Sequence, residues 1–98
     1  VAFNLAVTGA INDEVYDMEQ VIAKFILYLR ENYGSRLIER YNLKEPLPEE
    51  PSEILNQIGA KRGCLRSGGI VDYEKVNRII LNEFRNGKLG KFTLDKLE

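Results

Sequence analysis

The stretch from Gly59 to Asp72 holds four glycines (Gly59, Gly63, Gly68 and Gly69), three cations (Lys61, Arg62 and Arg66) and the only cysteine of the chain, Cys64. A helix-forming segment follows from Tyr73 to about Asn86, and then a second basic run, Gly87-Lys88-Leu89-Gly90-Lys91. Two kinds of chemistry suit such residues. Glycines among cations let a backbone approach a phosphate chain whose charge the lysines and arginines neutralise. A glycine-rich loop ahead of a helix can also cradle a nucleotide phosphate. The second arrangement is incomplete here. Gly63 and Gly68 have the spacing of a phosphate-binding loop, but Gly69 and Ile70 stand where its lysine and hydroxyl residue belong. The charge on the phosphates and the magnesium ligand are therefore missing. The plain alternative is that Gly63, Gly68 and Gly69 serve turns at positive φ, and that Lys61, Arg62, Arg66, Arg85, Lys88 and Lys91 form a solvated surface. Read from the residues alone, nucleic-acid contact and a solvated surface both stay open.

Other catalytic constellations are absent. The chain has no histidine and one cysteine, which removes Ser-His-Asp and Cys-His arrangements, an internal disulfide and nearly all structural zinc sites. Cys64 lies between Arg62 and Arg66, which would lower a thiol pKa. Beside Leu65 and without a base to activate it, it reads as a small buried apolar residue. The carboxylates Asp13, Glu14, Asp17 and Glu19 sit where a helix N-terminus favours negative charge, which explains them without acid-base catalysis. Tyr16, Tyr28, Tyr33, Tyr41 and Tyr73 fall mostly at core-facing spacing and read as packing residues.

The 98 residues suffice for one modest core and leave little room for a separate catalytic cleft. Val1 in place of an initiator, with Met18 the only methionine, points to a piece of something longer. No apolar run approaches the roughly 20 residues that span a bilayer, and nothing resembles a signal peptide, so a cytoplasmic, membrane-free domain is expected. The formal net charge of -1 hides an asymmetry: up to Gln57 five cations face ten acids, and from Ile58 onward nine cations face five acids. The second half is the natural polyanion surface.

The elements that must position these residues read as helices. Val1 to Val7 is apolar and fits a strand or a helical turn, closed by Thr8-Gly9. Asn12 or Asp13 is a candidate N-cap. Val15, Met18, Ile22, Phe25 and Leu29 then step by three and four, with Val21 and Ile26 widening the stripe. Tyr33-Gly34 closes that helix, and Ser35 caps a short second one, Arg36 to Tyr41, expected to pack back antiparallel. Lys44 to Pro51 contains all three prolines and reads as an extended connector. Ser52 caps the next helix, which Gly59 or Gly63 ends. Asp72 caps the last, whose stripe is Val76, Ile80 and Phe84, with Arg78 and Arg85 on a common outward edge. The expectation is an all-α bundle of about four helices with little or no strand.

Four blocks together resemble one family. They are Leu5-Ala6-Val7-Thr8-Gly9-Ala10-Ile11-x-Asp13; Tyr41-x-Leu43; Ile58-Gly59-x-Lys61-Arg62-Gly63-Cys64-Leu65 with Gly68-Gly69-x-Val71-Asp72; and Ile80-Leu81-x-Glu83-Phe84-Arg85-x-Gly87-Lys88-Leu89-Gly90-Lys91. The combination is similar to the C-terminal part of the circularly permuted ribosome-biogenesis GTPases of the YlqF/RbgA type, in register over nearly the whole chain. Lys91-Phe92-Thr93-Leu94 also fits the family's closing segment. The guanine-specificity motif, the phosphate loop and the switch aspartate of the family are missing.

The resemblance implies a division at residue 11. Residues 1–11 would be the end of the preceding GTPase domain and 12–98 a helical RNA-binding domain similar to ANTAR-type domains. The parent would hydrolyse GTP with magnesium during late assembly of the large (50S) ribosomal subunit; this piece alone would not. Its implied partners are ribosomal RNA of the immature subunit and its own GTPase domain. Lys61, Arg62, Arg85, Lys88 and Lys91 match RNA-contacting positions of the family, Arg66 rests on charge alone, and Gly63, Gly68 and Gly69 would admit a close phosphate backbone. The Thr8–Ile11 hinge and the Pro46–Pro51 connector would let nucleotide state alter the angle between domains. The rival reading is a protein-interaction module that grips a ribosomal protein or the GTPase domain through apolar helix faces.

Overall fold

The computed structural model describes residues 2–91 and 94. Four α-helices form one core: α1 (Phe3–Thr8), α2 (Met18–Tyr41), α3 (Pro51–Lys61) and α4 (Tyr73–Arg85). Short 3-10 turns at Asp13–Val15 and Ser67–Gly69 complete the order, and the described residues contain no strand beyond one antiparallel bridge, Leu65 to Val71. The expected all-α bundle is thus observed. Phe92 and Thr93 of the expected closing segment lie outside the described residues.

The ambiguous N-terminal run is helical. Gly9 ends α1 in the left-handed region (φ 87) and its N–H returns to the Ala6 carbonyl, which a β-strand would not permit. Ala6 and Val7 are fully buried against α2 and α4, so this segment packs into the same core as the rest.

The second helix begins four or five residues later than the caps at Asp13 or Asn12 suggest. Asn12 does accept from the Glu14 N–H at 2.9 Å, but it caps only the turn Asp13–Val15, and Tyr16 then adopts extended backbone. Asp17 is the true N-cap, accepting from the N–H groups of Glu19 and Gln20. Val15 is consequently 63% exposed and not part of the core stripe. From Val21 to Leu29 the expected stripe is buried.

Tyr33 departs from helical geometry (φ -143, ψ 37), but no loop follows it, and α2 resumes immediately to Tyr41. The expected second helix therefore continues α2 across a kink. With no residues available to turn the chain, it cannot fold back antiparallel on the first. Asn42, in the left-handed region, closes it.

Residues 42–50 return along α2. Leu43 and Leu47 are buried, and Arg30 donates from Nε to the Pro48 carbonyl at 2.7 Å and from Nη2 to the Leu47 carbonyl at 3.4 Å. The proline segment is thus fastened to the core and is not a free hinge. Pro51 occupies the first turn of α3, where its missing N–H is no loss, and Glu50 takes the cap position without a side-chain bond. Ser52 therefore sits inside the helix and does not cap it. Asp72 caps α4 as expected, accepting from the Lys75 N–H at 3.3 Å.

Candidate nucleic-acid interface

Gly59 lies within α3, not at its end, and is buried. A Cβ there would stand 2.8 Å from Val71 Cγ1 and 3.0 Å from Val76 Cγ2, so glycine permits α4 and the segment before it to cross α3 closely. Gly63 (φ 68) ends α3 and starts a small hairpin. Cys64 accepts at its carbonyl from the Asp72 N–H at 2.8 Å, and the Arg66 N–H donates to the Ile70 carbonyl at 2.7 Å. Gly68 (φ 84) and Gly69 (φ 78) make the tip. Cβ atoms at Gly63, Gly68 or Gly69 would meet nothing within 4 Å, so their positive φ is what requires glycine, and their backbone faces open space. Cys64 is buried under the hairpin, the plain reading of the sequence. Arg66 is largely exposed and loosely paired with Asp72 at 3.6 Å. Leu65 and Ile70 are exposed beside it, at 46% and 65%.

This hairpin is no nucleotide cradle. Its Arg66 and Asp72 N–H groups are engaged within the hairpin, and Gly69 and Ile70 stand where the lysine and hydroxyl residue belong. Among the described residues no cluster of three or more histidine, cysteine, aspartate or glutamate side chains is placed to hold a metal ion. The residues present do not fit GTP with magnesium.

The C-terminal ends of α2, α3 and α4 converge on Glu83. Arg62, just past α3, donates from Nη1 to Oε2 at 2.6 Å and from Nη2 to Oε1 at 3.3 Å. Arg40 donates from Nε to Oε1 at 3.1 Å, and the Tyr41 hydroxyl donates to the same oxygen at 2.8 Å. The Arg62 guanidinium also lies over the Tyr41 ring, 5.0 Å from its centroid. Burial alone would raise the Glu83 pKa, but the three donors outweigh it and hold the carboxyl below its ordinary value. Burial, followed by the bond to Glu83, pushes the Tyr41 phenol well above its usual range.

The second basic run folds against the same end. Gly87 and Gly90 take positive φ, Leu89 is buried, and Arg36 donates to the Lys91 carbonyl. Arg36, Glu39, Arg40, Lys88, Leu89 and Gly90 line a hollow of about 410 Å³. Lys61, next to Arg62 in the chain, and Lys44 line a smaller hollow of about 280 Å³. The cations thus form a band from Lys44 and Lys61, through Arg62 and Arg40, to Arg36 and Lys88. Lys61, Lys88 and Lys91 are exposed. Arg36, Arg40 and Lys44 were not expected in this band, because they belong to the half of the chain that is acidic overall. The one available signal was the position of Arg40 in the last turn of α2, where a cation also complements the dipole.

Arg85 is placed elsewhere. Its Nε donates to the Val7 carbonyl at 3.0 Å, Nη2 to the Ala6 carbonyl at 2.8 Å, and the guanidinium grips Asp13 at 2.9 and 3.1 Å. It therefore adds donors to the carbonyls at the end of α1, that of Ala6 also accepting from the Gly9 N–H, and the expected outward edge with Arg78 holds for Arg78 alone, which is exposed and pairs with Glu74.

No protein-family model matches the chain. Two proteins named ribosome biogenesis GTPase A, from Bacillus cereus and Bacillus pumilus, are each 43% identical to it over all 98 residues. An uncharacterized GTP-binding protein of Methanocaldococcus jannaschii is 30% identical over 92 residues, or 94% of the chain. The chain covers 33%, 34% and 24% of these relatives, so it spans about a third or less of each.

Proposed function

We propose that this chain, which belongs with the ribosome biogenesis GTPase A proteins as their C-terminal domain, binds ribosomal RNA of the immature large subunit. On this reading it positions a GTPase domain that hydrolyses GTP with magnesium elsewhere in the whole protein. The observation that carries the reading is the band of Lys44, Lys61, Arg62, Arg40, Arg36 and Lys88, where Glu39 and Glu83 are the acids among six cations. Lys61, Lys88 and Lys91 would neutralise phosphates directly. Arg40 and Arg62, held by Glu83, present their remaining N–H groups in a set orientation. Gly63, Gly68 and Gly69 leave backbone open to a phosphate chain, with Arg66 beside them. Arg85 has no part in the contact, since its donors are engaged by Asp13 and α1.

The exposed pair Leu65 and Ile70 favours a second reading, docking of the hairpin tip on a ribosomal protein or on the GTPase domain. Binding of the intact protein to large-subunit precursor particles separates the two. Joint replacement of Lys61, Lys88 and Lys91 by alanine should weaken binding at least about tenfold, roughly 1.4 kcal/mol. Unchanged binding by that variant, with a loss on replacing Leu65 and Ile70 by serine, would transfer the contact to the hairpin tip.

A further inference from the structure

The hollow of about 410 Å³ in the cationic band contains one residue that phosphate binding does not explain. Glu39 lines it together with Arg36, Arg40 and Lys88. It lies in the last turn of α2, where the helix dipole disfavours negative charge. It is exposed, and among the described residues its carboxylate has no ion pair or hydrogen bond. The neighbouring arginines are committed elsewhere: Arg40 gives Nε and Nη2 to Glu83, and Arg36 donates to the Lys91 carbonyl. For a strand held through its phosphates alone, a carboxylate in the middle of the band would only weaken the attraction.

An ionised carboxylate is an acceptor only, and its two oxygens can take a pair of parallel donors. Among the bases of RNA, guanine alone presents two adjacent donors on its Watson–Crick edge, the ring N–H and the exocyclic amino group. That edge is open to a protein only where the base is unpaired. The rest of the hollow suits the rest of a nucleotide. Leu89 supplies apolar lining, the exposed Lys88 ammonium has no partner among the described residues, and Nη1 of Arg40 is not used by Glu83. We infer that the hollow receives an unpaired guanosine of an RNA strand. The base donates to both Glu39 oxygens beside Leu89, and its phosphate lies between Lys88 and Arg40. This rests on the RNA reading above and names the nucleotide that the band selects. A free guanine nucleotide carries the same base and phosphate, but a strand also places neighbouring phosphates on Arg62 and Lys61.

The test is fluorescence anisotropy of the intact protein, with GDP saturating its GTPase domain, against short labelled uridine strands. The strands differ at a single central position, which carries guanosine, inosine, adenosine or uridine. The guanosine strand should bind at least about fivefold more tightly than the adenosine strand. Inosine, which lacks the exocyclic amino group, should fall between them. Glu39→Gln keeps the shape of an exposed side chain and removes its charge. It should weaken the guanosine strand to the level of the others, while the adenosine and uridine strands bind as well as before or better. A surface that reads phosphates alone gives the opposite sign, with every strand tighter in that variant. The inference is overturned if wild type binds the guanosine and adenosine strands alike, or if Glu39→Gln retains the preference. It is also overturned if free guanosine monophosphate displaces the guanosine strand at an affinity equal to the strand's own. Equal binding of all strands would leave the RNA contact standing, whereas failure of every strand to bind would overturn both readings together.

Discussion

Arg85 and Asp13, 72 positions apart in the chain, form a two-toothed ion pair with N–O distances of 2.9 and 3.1 Å, and the same guanidinium caps the carbonyls of Ala6 and Val7. The Tyr16 hydroxyl donates to the same carboxylate at 2.6 Å. A six-residue helix is too short to persist alone, so this cluster, with the burial of Ala6 and Val7, is what holds α1 in place.

Asp13 makes the cluster pH-dependent. The bond from Arg85, followed by that from Tyr16, lowers its pKa from 3.8 to about 2. A depressed carboxyl pKa contributes stability that is present above the unfolded value and lost as pH falls through the folded one. Asp13→Asn should therefore be less stable than wild type at pH 6 by about 1 kcal/mol, after allowance for partial exposure. The difference should shrink between about pH 4 and pH 2. Urea unfolding of both proteins across that range checks it; a constant difference would show that the ionised pair is not its source.

Arg85→Ala removes the α1 cap and strands the Asp13 charge. A loss of about 1–3 kcal/mol is expected. Binding to precursor particles below the melting temperature should stay within about twofold of wild type, because Arg85 faces α1. A tenfold binding loss in a fully folded variant would return Arg85 to the RNA surface.

At Gly59 a methyl group would collide with Val71 and Val76, whose branched side chains sit close to their own backbone and cannot move away. Alanine would ordinarily favour a helix over glycine by about 1 kcal/mol. Here Gly59→Ala should instead destabilise by about 1–3 kcal/mol, measured by thermal or urea unfolding. Equal or greater stability would mean that α3 and α4 do not cross as closely as described.

Glu83 joins three helix ends, so its contributions should not add independently. Glu83→Gln and Tyr41→Phe, measured singly and together, should show a coupling energy of about 0.5–3 kcal/mol. Additivity within experimental error would reduce Glu83 to a surface ion pair.

Salt dependence tests the cationic band as a whole. The logarithm of the affinity for precursor particles should fall linearly with the logarithm of salt concentration. Each of Lys61, Lys88 and Lys91 replaced by alanine should flatten the slope by roughly 0.7–0.9 if it neutralises one phosphate. A shallow slope unaffected by the replacements favours apolar docking.

Much of this architecture was legible from the residues because local chemistry dictates it. The step of three and four from Met18 to Leu29, the Asp72 cap and the breaks at the prolines and at Gly63 depend on near neighbours, and they specify where helices run and which face is apolar. Boundaries decided by competing caps were less legible: Asn12 and Asp17 both cap, and Tyr16 in extended backbone decides between them. Likewise, Tyr33-Gly34 marks an irregularity, but whether it ends a helix or bends one depends on the core that the following turn can reach.

The candidate site divides along the same line. Composition alone determined that this chain has no histidine and a single cysteine, and that its second half is rich in cations among glycines. Which cations face outward was decided only by tertiary structure, since a charge's partner can lie anywhere in the chain. Arg85 meets Asp13 and turns inward, Arg62 and Arg40 meet at Glu83, and Arg36 crosses from the acidic half to join Lys88. Sequence supplies each charge and its helix; packing alone determines which opposite charge lies within four ångströms of it, and so which cations are left for a partner.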